Sequence, residues 1–250
     1  MTLSYDGTAY SGFQSQLNLH TIEDEIKHAL KKITGEKISP ICAGRTDAGV
    51  HAEGQVVNFI YKWNGMKEKN WLKAVNSLLP DDIRVLKCEF VDPGFHARRS
   101  AIYREYWYTI INAQTVSALE KRYVLLHPFF RLDTSLMNEY GKVLIGENDF
   151  TSFCSTRDSN KSKVRYMHSI NVERENDRIT IKIIANAFLH NMVRAIVGTM
   201  LLLHKTNGGV EEMRKIMLAK DRKKAGPTAG PSGLVMKKVH YDESVLKREW

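Results

Sequence analysis

Segments with a β-strand pattern alternate with amphipathic helical segments along the whole chain, and this alternation limits the possible folds more than any other feature. Residues 22–33 carry apolar side chains at helical spacing behind Thr21, a good N-cap residue, so a helix is predicted there. The rest of the first part predicts strands at 2–5, 38–43, 55–60 and 83–91 and a helix at 71–79. Such a pattern indicates layers of helix packed on sheet.

The second part of the chain repeats the alternation. It predicts strands at 103–111, 164–174, 179–187 and 234–239 and helices at 136–144, 188–204 and 210–218. A chain of 250 residues, 43% of them hydrophobic, can bury one large core or two modest ones. We therefore predict an α+β protein made of two similar α/β halves around a central cleft, with domains at 1–95 and 96–250.

The chain is basic. It has 37 Lys and Arg against 28 Asp and Glu, a formal net charge of +9 and a pI near 9.4. Such a balance favours a polyanionic partner, because cations that neutralise phosphates release condensed counterions. A basic protein without such a partner has the same composition, so charge alone leaves both interpretations open.

Three cysteines, Cys42, Cys88 and Cys154, lie far apart in the sequence, without a Cys or His partner at the spacing of a metal site. An odd number of separated cysteines is typical of reduced thiols. Residues 1–7 contain no basic segment followed by an apolar core and a cleavage site. We therefore expect a cytoplasmic protein that binds no metal.

The most apolar stretch, residues 185–203, is about long enough to span a bilayer. Asn186, His190, Asn191 and Arg194 inside it would be expensive in lipid, so we expect a buried helix with a polar face and no membrane association.

At helical spacing, His190, Asn191, Arg194 and Gly198 share one face of the predicted helix. Arg194 lies among apolar neighbours, and an unpaired buried guanidinium costs several kcal/mol, so a carboxylate is expected beside it. A snorkelling or otherwise paired arginine is the alternative.

The densest polar cluster is the segment 44–51, which reads GRTDAGVH and lies between two predicted strands. Its glycines allow unusual backbone dihedrals and close approach to a ligand, and Arg45 and Asp47 place a cation and a carboxylate two residues apart. An ordinary turn with an exposed ion pair has the same composition, so the segment by itself does not establish catalysis.

The segment 44–51 matches the signature of the tRNA pseudouridine synthase A (TruA) family, in which the motif aspartate is the catalytic residue. Further segments resemble later blocks of that family, in the same order along nearly the whole chain: 5–16, 95–98, 106–108, 149–153, 186–194, 225–229 and 233–234. The resemblance implies the pseudouridine synthase fold, with mainly antiparallel sheets and a catalytic cleft.

The resemblance also implies roles for individual residues. Asp47, Arg194 and Tyr106 would be catalytic, with Arg194 paired to Asp47. The residues expected to contact uridine or RNA are Arg45, Thr46, His51, Arg98, Asn191 and Leu234. Tyr106 and Tyr108 share one face of a predicted strand, where tyrosines are also common core residues.

The implied reaction is isomerisation of uridine to pseudouridine in the tRNA anticodon arm, at positions thirty-eight to forty, by a homodimer without a cofactor. The sequence leaves open whether Asp47 acts as a nucleophile or in abstraction of a ribose proton. Two alternatives also remain: a non-catalytic RNA-binding protein, and a pseudouridine synthase for another RNA.

Overall fold

The computed structural model describes residues 1–62 and 65–242. The described strands are β1 Thr2–Tyr5, β2 Ile41–Cys42, β3 His51–Asn58, β4 Ile83–Lys87, β5 Ala101–Ile111, β6 Leu125–Leu126, β7 Gly146–Asp149, β8 Val164–Glu175, β9 Arg178–Ala185 and β10 Leu234–Tyr241. The described helices of more than one turn are α1 Ile22–Thr34, α2 Glu68–Asn76, α3 Thr134–Leu144, α4 Met192–Lys205 and α5 Val210–Ala219.

The chain forms two compact units. Unit 1 comprises Met1–Tyr103 together with the C-terminal segment from Met236, and unit 2 comprises Arg104–Val235. The sequence-based boundary at 95/96 thus lies before the one at Tyr103/Arg104, and it lacks the return of the chain to unit 1 at Met236. The domain assignment 1–95 and 96–250, whose last eight residues lie outside the described part, stays a prediction.

Unit 1 contains a sheet with the strand order β4-β1-β3-β10, and β2 also pairs with β3. The strand β1 is antiparallel to both of its neighbours, with Leu3 opposite Gln55 of β3 and Val85 of β4. The helix α1 begins as predicted, because the Thr21 side chain accepts a hydrogen bond from the Asp24 N–H. It ends at Gly35, whose φ of 76° closes the helix in the left-handed region.

Unit 2 contains a sheet with the strand order β5-β9-β8-β7. These strands pair antiparallel, and the short β6 runs parallel to β5. A tight turn through Asn176, at a φ of 54°, joins β8 to β9 at the predicted place. The helix α3 is fixed on β8 by two bonds of 2.8 Å, in which the Asn138 side chain donates to the Val172 carbonyl and accepts from the Val172 N–H.

The predicted α+β class with mainly antiparallel sheets is confirmed in both units. None of the described helices combines the length and the apolar character needed to cross a membrane.

Candidate active site

The loop of residues 43–50 carries Asp47 between β2 and β3. Arg45 is exposed, Thr46 is buried, and Asp47 is half-buried. The Val50 N–H donates to the Asp47 carbonyl at 3.1 Å, and Gly49 adopts a φ of 74°, so the chain turns tightly before β3 begins at His51. The Asp47 side chain therefore extends from a short loop whose backbone is held in place.

The segment that follows β1 holds this loop from one side. The Phe13 N–H donates to the Thr46 carbonyl at 3.0 Å, and the Gly49 N–H donates to the Tyr10 carbonyl at 3.3 Å. Gly12 has a φ of 93°, and a Cβ there would lie 2.8 Å from the Thr46 carbonyl oxygen. Glycine is therefore required at position 12 for both the dihedral angle and the close approach.

A buried hydrogen-bond network holds the loop from below. The Tyr5 hydroxyl lies 2.8 Å from the Thr46 Oγ1, and the Gln55 side-chain amide donates to the Gly44 carbonyl at 2.6 Å. Burial raises the pKa of Tyr5 well above its usual range, so the hydroxyl stays neutral. Sequence reasoning missed Tyr5 and Gln55, although both lie on inward-facing positions of strands next to the motif.

His51 connects the loop to the turn after β1. The Gly7 N–H donates to His51 Nδ1 at 3.1 Å, which places the ring proton on Nε2 in the neutral side chain. Asp6 Oδ1 also lies 3.1 Å from His51 Nδ1. An ion pair between them needs a proton on Nδ1, and the Gly7 N–H could then no longer donate to that atom. His51 is only 3% exposed. The Gly7 bond therefore ties His51, at the start of β3, to the turn after β1.

In unit 2 the predicted helix 188–204 begins later than expected. The helix α4 starts at Met192, and Asn191 is its N-cap residue with a φ of 64°. His190 lies before the helix, so the prediction that it shares a helical face with Arg194 was wrong. Asn191, as the N-cap residue, still lies beside the Arg194 side chain. The left-handed conformation of Asn191 turns the chain into the helix, which continuous apolar periodicity does not reveal.

Hydrogen bonds hold both the guanidinium and the backbone carbonyl of Arg194. Its Nε donates to the Ala229 carbonyl at 2.8 Å, and its Nη1 donates to the Asn191 Oδ1 at 3.1 Å. In return, the Ala229 N–H donates to the Arg194 carbonyl at 3.0 Å. The guanidinium of a half-buried residue thus has a defined direction.

The segment 225–230 packs directly on α4. A Cβ at Gly198 would lie 1.7 Å from the Pro227 carbonyl oxygen, so no other residue fits there without movement. The Gly226 N–H donates to Thr199 Oγ1 at 2.9 Å, and Arg222 Nη1 donates to the Gly226 carbonyl at 2.7 Å. Gly198 therefore serves close packing of the backbone that holds Arg194.

Two tyrosines of β5 extend this region of unit 2. The Tyr106 ring packs edge-on against Phe188, with centroids 5.0 Å apart, and the residue is 6% exposed. The Tyr108 hydroxyl donates to the Gly230 carbonyl at 2.8 Å. Leu234 is buried at the start of β10, directly after Gly233, whose carbonyl accepts from the Thr109 N–H.

Comparison with known proteins decides which family this architecture represents. The profile of the family described as "tRNA pseudouridine synthase" matches residues 1–98 and 142–242. The chain belongs to the tRNA pseudouridine synthase family. This finding confirms the resemblance seen in the sequence and the predicted enzyme class, an isomerase.

Curated relatives of this tRNA pseudouridine synthase family member match almost end to end. The chain is 42% identical over 243 residues to tRNA pseudouridine synthase A of Brachyspira hyodysenteriae, covering 97% of this chain and 98% of the relative. It is 43% identical over 239 residues to that of Brevibacillus brevis, covering 96% and 97%. The corresponding protein of Treponema denticola is 41% identical over 252 residues, covering 99% and 94%.

Among solved structures, a chain from the "Crystal Structure of a Cbf5-Nop10-Gar1 Complex" covers 80% of this chain and 44% of its own length, at 13% identity. Its TM-score is 0.36, a similarity too low to support a conclusion about this fold.

Eight of the nine predicted site residues fall into one set in each unit. Unit 1 brings Arg45, Thr46, Asp47 and His51 together on one loop and the strand after it, while the exposed Arg98 lies on a separate segment. The unit 2 set contains Tyr106, Asn191, Arg194 and Leu234. Tyr106 falls between the two ranges matched by the family profile. The roles of all nine residues remain predictions.

The described residues contain no group of three or more His, Cys, Asp or Glu side chains arranged to hold a metal ion. All three cysteines lie in the described part of the chain and are free thiols. Burial raises the pKa of Cys42 and of Cys154 to about 11. These two thiols are therefore protonated at neutral pH and poor nucleophiles.

Proposed function

We propose that this protein isomerises uridine to pseudouridine in the anticodon stem-loop of tRNA, at positions thirty-eight to forty, with Asp47 as the catalytic carboxylate. The observation that carries the proposal is the half-buried Asp47, presented by a loop that is bonded to three separate segments of unit 1. Preorganisation of this kind suits a reacting group, because a small displacement would lower the rate strongly.

The target base must leave the helical stack before its glycosidic bond is accessible. Asp47 then acts on the flipped nucleotide, either as a nucleophile or in abstraction of a ribose proton. The uracil detaches, rotates and reattaches through carbon, so no atom is gained or lost and no cofactor is needed.

We propose that Arg194 pairs with Asp47 during catalysis. Asn191 and Ala229 already fix the direction of the guanidinium, and a nearby cation favours the ionised form of a carboxylate. The exposed Arg45 is then the second cation, placed to contact a phosphate or the extruded nucleotide.

The remaining assignments concern the base and the RNA. Tyr106 would stack on the extruded uracil and Leu234 would form an apolar wall beside it. We assign Arg98, exposed near the end of unit 1's first segment, to the RNA backbone. Thr46, His51 and Asn191 make structural bonds in the two sets, so their proposed contribution to substrate binding is through the position of the loop and of Arg194.

The decisive experiment compares Asp47→Asn with the wild type on a tRNA transcript. We expect the variant to form no pseudouridine while binding tRNA with nearly wild-type affinity, because phosphate contacts dominate binding. Glu53→Gln is the matched control, since Glu53 is an exposed carboxylate of β3 that pairs with Lys237. Wild-type turnover by Asp47→Asn would refute the catalytic assignment.

Mapping pseudouridines in cellular RNA, with and without the gene, separates the two alternatives. Absence of any difference would favour a non-catalytic RNA-binding protein, and loss of pseudouridine from another RNA would reassign the substrate. We further propose that the protein works as a homodimer in the cytoplasm, which light scattering of the purified protein and fractionation of cells would test.

A further inference from the structure

A buried carboxylate outside the predicted catalytic set, Asp158, fastens the chain just before α4. Its side chain is 3% exposed and forms an ion pair with Lys163 at 2.8 Å. Its Oδ1 also accepts from the Asn160 N–H and side-chain amide, each at 2.8 Å, and its Oδ2 accepts from the His190 N–H at 2.8 Å. Burial by itself would raise the pKa of Asp158, but these bonds outweigh it and hold the pKa well below its usual range.

A second bond holds the backbone carbonyl of His190. The Ser155 N–H donates to the His190 carbonyl at 2.9 Å, and the Asp158 N–H donates to the Ser155 carbonyl at 3.0 Å. The loop 155–163 therefore holds both the N–H and the carbonyl of His190. These contacts all lie inside unit 2.

The residue after His190 is the one that orients Arg194. Asn191 adopts a left-handed conformation, which is strained for an L-residue although asparagine tolerates it better than most. Its carbonyl accepts the Ala195 N–H at 2.9 Å, and its side chain accepts from Arg194 Nη1. A backbone released at His190 could relax at Asn191 and carry the Oδ1 away from the guanidinium.

We propose that Asp158 is a positioning residue for Arg194. It acts by holding His190, which keeps Asn191 in the conformation that directs the guanidinium. The effect of Asp158 on catalysis rests on the proposed function, in which Arg194 keeps Asp47 ionised. The effect of Asp158 on the Arg194 side chain, which it keeps in place, can be measured without any turnover.

The structural test is hydrogen exchange of the Arg194 Nε–H, which is protected by its bond to the Ala229 carbonyl. The signal is assigned by its disappearance in Arg194→Lys. In the full-length Asp158→Asn protein we expect exchange about tenfold faster than in the wild type, as for an interaction weakened tenfold in equilibrium constant. Asp149→Asn is the matched control, because Asp149 also has a lowered pKa and an ion pair, with Lys220, but does not contact the start of α4.

The catalytic test is the pH dependence of the single-turnover rate on tRNA. A loosened Arg194 should move the acidic limb to higher pH by about one unit and lower the neutral rate, with little change in tRNA affinity. Two other titratable groups interact with this region: Cys154 with Asp158, and Tyr108 with Arg194. Burial raises the pKa of Cys154 and of Tyr108, so neither group titrates in the acidic limb. Because the stabilising effect of Asp158 is complete above about pH 4, a general loss of stability would lower the rate equally at every pH above that value.

Wild-type exchange of the Arg194 Nε–H in Asp158→Asn overturns the inference, and so does equal acceleration in Asp149→Asn. Faster exchange with an unmoved limb overturns the role in catalysis. If the wild type forms no pseudouridine, the proposed function fails while the exchange measurement still decides the positioning role. Should Asp158→Asn fail to unfold cooperatively, Lys163→Met removes the ion pair but keeps the carboxylate, and a smaller change in the same direction is expected.

Discussion

The hydroxyl of Tyr5 and the Oγ1 of Thr46 form a buried hydrogen bond of 2.8 Å, between residues 41 positions apart in the sequence. Thr46 directly precedes Asp47, so this bond ties the first strand to the residue beside the proposed catalytic carboxylate. Thr46 is 6% exposed, and its hydroxyl is engaged in the protein interior. The loop is therefore held by unit 1 itself.

Tyr5→Phe should reduce both stability and turnover. It removes one hydroxyl and leaves Thr46 Oγ1 without this buried partner, at a cost of about 1–3 kcal/mol in the free energy of unfolding. Tyr140→Phe is the control, because its buried hydroxyl donates to the Gly208 carbonyl in unit 2, away from the loop. We expect similar stability losses in urea unfolding, but a lower turnover only for Tyr5→Phe; equal turnover of the two variants would show that the bond does not position Asp47.

Gly198→Ala should destabilise the protein although alanine favours helices. The new Cβ would lie 1.7 Å from the Pro227 carbonyl oxygen, which forces the backbone of segment 225–230 away from α4. Overpacking of this kind costs about 1–3 kcal/mol. Gly141→Ala in α3 is the comparison, because its nearest contact is the Ile170 side chain at 3.0 Å, which can move. Thermal unfolding should show the larger loss at Gly198, and the reverse order would contradict this account.

Much of this architecture was readable from the sequence. The predicted helix at 22–33 corresponds to α1, and the predicted strand 103–111 lies within β5, since both carry an uninterrupted periodicity with clear end signals. The position of Asp47 in a loop between strands was also predicted correctly. Local patterns were sufficient wherever an element is defined by its own side chains.

The start of α4 could not be read in this way. Phe188 and Leu189 continue the apolar pattern, but the helix begins at Met192 because Asn191 adopts a left-handed conformation. The bonds that hold His190 come from a loop about thirty residues earlier. The Tyr5 bond to Thr46 was missed for the same reason, since contacts between distant segments leave no periodic signal.

The stabilising effect of Asp158 should disappear in acid. Its folded-state pKa is depressed, so its contribution is complete above the unfolded-state pKa of about 3.9 and is lost as pH falls toward the folded value. We expect Asp158→Asn to be less stable than the wild type by about 1.5–3 kcal/mol at neutral pH. Urea unfolding at several pH values should show this difference shrinking below about pH 4; a difference that grew in acid would reverse the assigned sign.

Tyr106→Phe should impair turnover less than Tyr106→Ala. Phenylalanine keeps the ring that packs edge-on against Phe188 and could still stack on an extruded base, whereas alanine also opens a cavity. Single-turnover rates on tRNA measure the difference, and thermal unfolding separates the loss of packing from the loss of stacking. Wild-type rates in both variants would remove Tyr106 from the proposed site.

The proposed pairing of Asp47 with Arg194 can be tested through stability alone. If the pair exists and is partly buried, Arg194→Ala leaves a carboxylate uncompensated, at a cost of up to about 3–5 kcal/mol in the free energy of unfolding. In an Asp47→Asn background the same substitution should cost less, because no charge is left unpaired. The difference between the two costs is the coupling energy of a double-mutant cycle, expected at about 1–3 kcal/mol. Glu53→Gln in place of Asp47→Asn should give no coupling with Arg194. If Asp47 also gave none, Arg194 would have to act on the reaction without contacting the carboxylate, and the catalytic model would need a different partner for Asp47.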